Sequence, residues 1–231
     1  MKTSAQQSWE PGESDLQRAR QHLYGFLAAA LLNRPDPQML EGLLSEPAMA
    51  ALQTAFPGHP AAARLVRLAA AYRQGDQAAE EFLLDYEALF RVPGDAYTHP
   101  YESAYLGAGE RDQPIGRPSL NAGRLRMVVA AYQSQGLSPS EDFDEPPDHI
   151  GVQLDFMSCL CGMAVEALDA EDTHRVLELL AAQESFLRQH LLAWGGDCLT
   201  KVERSAATEL YSCLAGLGKS FLAQELEDHR H

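Results

Sequence analysis

The chain has 231 residues, 45% of them hydrophobic, and carries 33 acidic against 18 basic side chains for a net charge of −15. That much apolar material excludes a fully disordered chain, and the length allows one large domain or two small ones. The acidic surplus repels nucleic-acid phosphates and anionic lipid headgroups; it suits a basic partner, or it merely maintains solubility.

Residues 1–14 read as a loose polar tail without the apolar stretch of a signal peptide. Ser14 or Asp15 can cap a first helix, in which Leu16, Ala19, Leu23, Phe26, Leu27 and Ala30 recur at helical spacing. Asn33, Pro35 and Pro37 stop it. Short helices are predicted at 37–44 and 47–55, and amphipathic ones at 61–74 and 76–90, separated at Gly75. From Val92 to Pro118 prolines and glycines mix with Tyr97, Tyr101 and Tyr105, and a loop that long is usually functional or disordered. A helical turn is expected at 101–106 and a helix at 119–135.

Residues 136–147 form a polar, acidic connector with Glu141, Asp142, Asp144 and Glu145 before two prolines, the composition of a hinge. The clearest helix is predicted at 148–168, where Ile150, Leu154, Met157, Cys161, Ala164 and Leu168 make one apolar stripe. Further helices are expected at 171–190 and 205–227, with 191–204 less regular. No strand and no internal repeat is visible. The fold class is therefore all-α, a single bundle of about ten helices spanning 15–231, with halves 15–135 and 148–231 joined at 136–147.

Few motifs carry chemistry. Gly216-Leu217-Gly218-Lys219-Ser220 resembles the end of a phosphate-binding loop, but the pattern needs glycine where the chain has Cys213, and the segment lies inside an amphipathic helix. His149, His174 and His190 have no metal-ligand spacing, and no serine sits in a Gly-x-Ser-x-Gly elbow. Cys159, Cys161, Cys198 and Cys213 form no CxxC pair and are expected as reduced core or near-core thiols. The longest apolar block, 26–32, is too short to span a bilayer. A cytoplasmic protein that does not insert directly into a membrane and binds no nucleic acid is expected.

The run from Glu145 to Ile150, EPPDHI, opens the clearest helix. Proline suits a first helical turn, Asp148 there favours the helix dipole, and His149 can simply pack. Asp148 and Asp155 stand seven apart, which puts them on one helical face. With Glu145 and the connector they can offer a negative groove to a basic peptide, or they are only a solvated face. An acid–base pair of Asp148 and His149 is a third reading, but adjacent helical side chains diverge by about 100° and no third group is evident.

Three ordered motifs carry a family resemblance. Residues 145–157, EPPDHIGVQLDFM, resemble the Asp-His signature of the TorD/DmsD/NarJ redox-enzyme maturation chaperones, closest to the TorD/DmsD branch. Tyr86-Glu87-Ala88-Leu89-Phe90 followed by Pro93-Gly94 resembles the family's aromatic-x-x-Leu-Phe motif, and Pro100-Tyr101-Glu102-Ser103-Ala104-Tyr105 its Pro-Tyr-Glu-Ser-Val-Tyr motif, with Ala104 in place of Val. Phe186, His190, Leu191, Trp194, Tyr211 and Phe221 fit the C-terminal pattern.

The resemblance implies a chaperone without catalysis or a cofactor of its own. Its partner would be the apo catalytic subunit of a molybdopterin oxidoreductase, held by its basic twin-arginine signal peptide during cofactor insertion and proofreading before export. The alternative within the family is NarJ-like assembly of a non-exported, membrane-attached enzyme. On the resemblance and the acidic pattern together, the candidate client-binding residues are Tyr101, Glu102, Ser103, Tyr105, Glu145, Asp148, His149 and Asp155. A monomer or a dimer swapped at the hinge is compatible with this.

Overall fold

The computed structural model describes residues 12–75, 79–106, 122–139 and 145–228, and every regular element among them is helical. The only extended pairing among these residues is one isolated antiparallel bridge between Tyr101 and His149. The tail at 1–11 and the centre of the expected hinge, 140–144, lie outside the described residues.

Helix α1 spans Glu13–Leu32 and follows Gly12, whose φ of 107° suits glycine. Ser14 and Asp15, expected as caps, instead lie in its first turn, where Asp15 and Glu13 complement the dipole. The buried face matches the expected one only in part: Leu27 and Ala30 are buried, Leu23 and Phe26 are half-buried, and Ala19 is exposed. Leu16 is 50% exposed, while Gln17, Arg20, Tyr24, Leu27, Ala28 and Leu31 are buried. The reason is a polar cluster with the last helix: Arg20 and Tyr24 both donate to Glu225, the tyrosine at 2.6 Å, and Arg20 Nη1 reaches Gln183 Oε1 at 3.1 Å. Paired and hydrogen-bonded, these groups can leave water.

Three short helices follow, each with proline in its first turn. Helix α2 (Pro37–Leu43) is capped by Asp36, α3 (Glu46–Ala55) by Ser45 and α4 (Pro60–Gln74) by His59, each accepting a backbone N–H. Gly75, with φ of 82°, ends α4. Helix α5 (Ala79–Tyr86) continues into a π-helical turn, Glu87–Arg91. The short α6 (Glu102–Leu106) and α7 (Ala122–Ser134) precede the connector.

Helix α8 (Ile150–Asp169) is the hub. Long and apolar enough to cross a membrane on composition, it is mostly buried within the fold. Its expected stripe is buried except at half-buried Leu168. Helix α9 (Thr173–Phe186) runs through a second π turn, Leu187–Leu191, into α10 (Leu192–Ser205), and α11 (Glu209–Asp228) closes the chain.

Helix α1 lies along α8, and α11 packs against α10 and α4. One core therefore draws on both halves of the chain. The start of α8 requires glycine: a Cβ at Gly151 would collide with Leu32 Cγ of α1. The Gly-Lys-Ser segment lies mid-helix in α11, where Lys219 Nζ reaches Glu203 at 2.7 Å and Ser220 Oγ meets His59 Nε2 at 2.9 Å.

Candidate functional site

The three motif segments meet in one place. The π turn at the end of α5 leads through Val92 to Thr98, whose N–H and hydroxyl both donate to Leu89 O at 2.9 Å. The chain then turns at His99, a non-glycine residue with φ of 50°. From there it runs antiparallel to the segment before α8. Ile150 N–H donates to Pro100 O at 2.8 Å, and Glu102 N–H donates to Asp148 O at 3.0 Å. Ser103 N–H donates to Asp148 Oδ2 at 3.0 Å. A helix start leaves such N–H groups without intrahelical partners, so Asp148 caps α6 from a different part of the chain.

Asp148 therefore precedes α8 and does not share a helical face with Asp155, because His149 is the N-cap. His149 Nδ1 accepts from Gly151 N–H at 3.0 Å, which requires a neutral ring. Burial, reinforced by the charge of Arg91, pulls the His149 pKa down to about 3. Asp148 and His149 thus address different backbone N–H groups and share no proton between them. Asp148 Oδ1 and Ser103 Oγ are buried without a hydrogen-bond partner among the described residues.

Glu102 is also fully buried. Its carboxylate accepts from Gln153 Nε2 at 2.7 Å and faces His190 Nδ1 at 3.0 Å, with Arg124 Nη1 at 3.7 Å. A carboxylate only accepts, so the His190 proton sits on Nδ1. Trp194 Nε1 completes the chain by donating to Gln153 Oε1 at 3.2 Å. Gln153, His190 and Trp194 were not among the candidate residues. Gln153 was the legible signal, a polar side chain within the most apolar helix.

The solvent side is built differently. Tyr101 OH donates to Glu145 Oε2 at 2.8 Å, Arg91 pairs with the other oxygen, and the Tyr101 ring stands edge-on to His149 at 5.4 Å. Burial and the Glu145 hydrogen bond raise the Tyr101 pKa, so it stays a donor. Tyr105 donates to Thr98 O at 2.9 Å and stacks obliquely on Trp194 at 5.3 Å. Both tyrosines are half-buried and Asp155 is exposed. Partial desolvation raises the Asp155 carboxyl.

The eight candidates divide accordingly. Glu102, Ser103, Asp148 and His149 are buried and lock the segments together, while Tyr101, Tyr105, Glu145 and Asp155 reach solvent in part or fully. The connector acids Glu141, Asp142 and Asp144 lie outside the described residues. Behind the junction, His190 also lines an open cleft of about 660 Å3 between α7 and α9, with Met127, Ala131, Phe156, Ala182 and Phe186 on its walls.

The structure is an all-helical bundle hubbed on α8, in which the Tyr-Glu-Ser loop and the Asp-His segment, two of the motifs that carry the family resemblance, are bridged to each other. The sequence profile of the family described as nitrate reductase delta subunit matches residues 55–200, and the chain belongs to this family. It is 30% identical to the Chaperone protein TorD of Vibrio cholerae over 145 residues, 63% of this chain and 60% of that protein. Against the Chaperone protein TorD of Aeromonas salmonicida it is 34% identical over 143 residues, 62% and 58% of the two chains. These matches span about three-fifths of the relatives' length. A 27% match to the Chaperone protein TorD of Shewanella loihica covers 91% of this chain and 92% of that one.

Proposed function

We propose that this chain is a cytoplasmic maturation chaperone that performs no reaction of its own. Its client is the apo form of a molybdopterin oxidoreductase subunit. The chaperone holds that subunit's basic twin-arginine signal peptide while cofactor is inserted, and so delays export until the enzyme is complete. The observation that carries this reading is the bridge between two motif segments, which mounts Tyr101 and Glu145 side by side on a braced scaffold. The relatives named as chaperones support it.

The parts divide the work. Buried Glu102, Ser103, Asp148 and His149 fix the loop. Glu145 and Asp155 offer carboxylates to arginine, and the Tyr101 and Tyr105 rings take the apolar residues that follow. Exposed ion pairs contribute only ~0.2–1 kcal/mol each. Apolar burial therefore supplies most of the affinity, and charge supplies steering and selectivity.

The test is affinity capture from an extract that contains molybdoenzymes, with mass spectrometry of bound proteins, alongside calorimetry with a synthetic peptide carrying two adjacent arginines and an apolar stretch. Recovery of a molybdoenzyme subunit and preference for this peptide over a twin-alanine version supports the reading. The absence of both rejects it. The family's nitrate reductase description favours one second reading, a NarJ-like chaperone of a membrane-attached enzyme; there the captured subunit carries no twin-arginine peptide.

A further inference from the structure

The ion pair on the solvent side of the junction is unequal. The Arg91 side chain is 45% exposed and that of Glu145 only 11%. Tyr101 fixes one Glu145 oxygen, and the Arg91 guanidinium, held on the π turn that ends α5, covers the other. Resting on the reading that this face binds an arginine-bearing peptide, we propose that Arg91 is a built-in competitor: its guanidinium occupies the position on Glu145 that a ligand arginine takes.

The exchange is balanced by construction. One guanidinium–carboxylate pair breaks and an identical one forms, while Tyr101 keeps Glu145 in place throughout. Arg91 can leave because its departure returns a charged group to water. The buried Arg20–Glu225 pair cannot do so, since breaking it strands charge inside the protein. Nor can the Glu102–His190 pair, which is enclosed. Glu145 is therefore the exchangeable carboxylate of the junction. An isolated arginine gains nothing from displacing Arg91. A peptide whose neighbouring residues also bury apolar surface gains that burial, so the device selects arginine joined to an apolar stretch.

The experiment is calorimetric titration of wild type, Arg91→Gln, Glu145→Gln and the double variant with the twin-arginine peptide and its twin-alanine counterpart. Arg91→Gln is expected to bind the arginine peptide about two- to five-fold more tightly, the worth of one exposed ion pair, and the alanine peptide with unchanged affinity. Glu145→Gln is expected to bind the arginine peptide less tightly, with no gain on adding Arg91→Gln. Arg91→Met, which keeps the stem, should reproduce the gain if the glutamine variant folds poorly. Unchanged or weakened binding by folded Arg91 variants overturns the proposal while the functional reading stands, as does an equal gain in the Glu145→Gln background. If wild type itself does not prefer the arginine peptide, the twin-arginine part of the functional reading fails and this proposal falls with it.

Discussion

Ser103 N–H donates to Asp148 Oδ2 at 3.0 Å across 45 positions of sequence, so a buried carboxylate caps a helix to which it does not belong. Asp148 is fully enclosed, so under the proposed function it acts by holding the loop in place rather than by touching the client.

Asp148→Ala should therefore destabilise the fold. It leaves the Ser103 N–H buried and unpaired, at a cost of about 1–3 kcal/mol. Asp148→Asn keeps an acceptor oxygen and should cost less. Urea denaturation of the three proteins measures the difference. Equal midpoints for wild type and the alanine variant would show that the bond does not brace the loop.

His149 makes folding sensitive to acid. An unfolded histidine takes a proton near pH 6.5, while the folded protein keeps His149 neutral down to about 3. Between those values the unfolded chain binds the extra proton, so this contribution is complete above pH 6.5 and is lost as pH falls toward 3. The slope approaches about 1.4 kcal/mol per pH unit. His149→Asn keeps a capping side chain without the titration. The difference in stability between wild type and variant should be constant above pH 7, and below pH 6.5 wild type should decline more steeply. Parallel decline of the two would be the contrary result.

The thiols should separate by reactivity. Burial pushes Cys161 and Cys198 up to about 12 and raises Cys213 and Cys159 as well, so access to solvent is what separates them. Cys161, Cys198 and Cys213 are buried, whereas Cys159 is exposed. A thiol reagent should modify one cysteine readily in the native protein and four after denaturation. Fast reaction at two or more native sites would contradict this burial.

The sequence was most informative where structure is local. The α8 stripe was legible because its residues recur at helical spacing, and Gly75 and the prolines marked real helix ends. The α1 face is only partly legible: Leu27 and Ala30 of its stripe are buried, but the burial of Arg20 and Gln17 depends on Glu225 and Gln183, which lie over 160 positions away. The role of Asp148 was obscured in the same way, since nothing nearby in sequence shows that His149 is the cap and Ser103 the partner. Both π turns fall where tertiary contacts, Arg91 with Glu145 and His190 with Glu102, meet a chain that reads as ordinary helix.

Hydrogen–deuterium exchange with and without the twin-arginine peptide tests the central claim most directly, because it locates the ligand without altering the protein. Amides that lie open at free loops and helix ends exchange fastest, and bound ligand slows those it covers. Slower exchange should appear around 97–106 and 145–153, the two segments joined by the Tyr101–His149 bridge. Protection confined to a distant surface, such as the cleft between α1 and α2 at Phe26 and Met39, with those segments unchanged, would contradict the account.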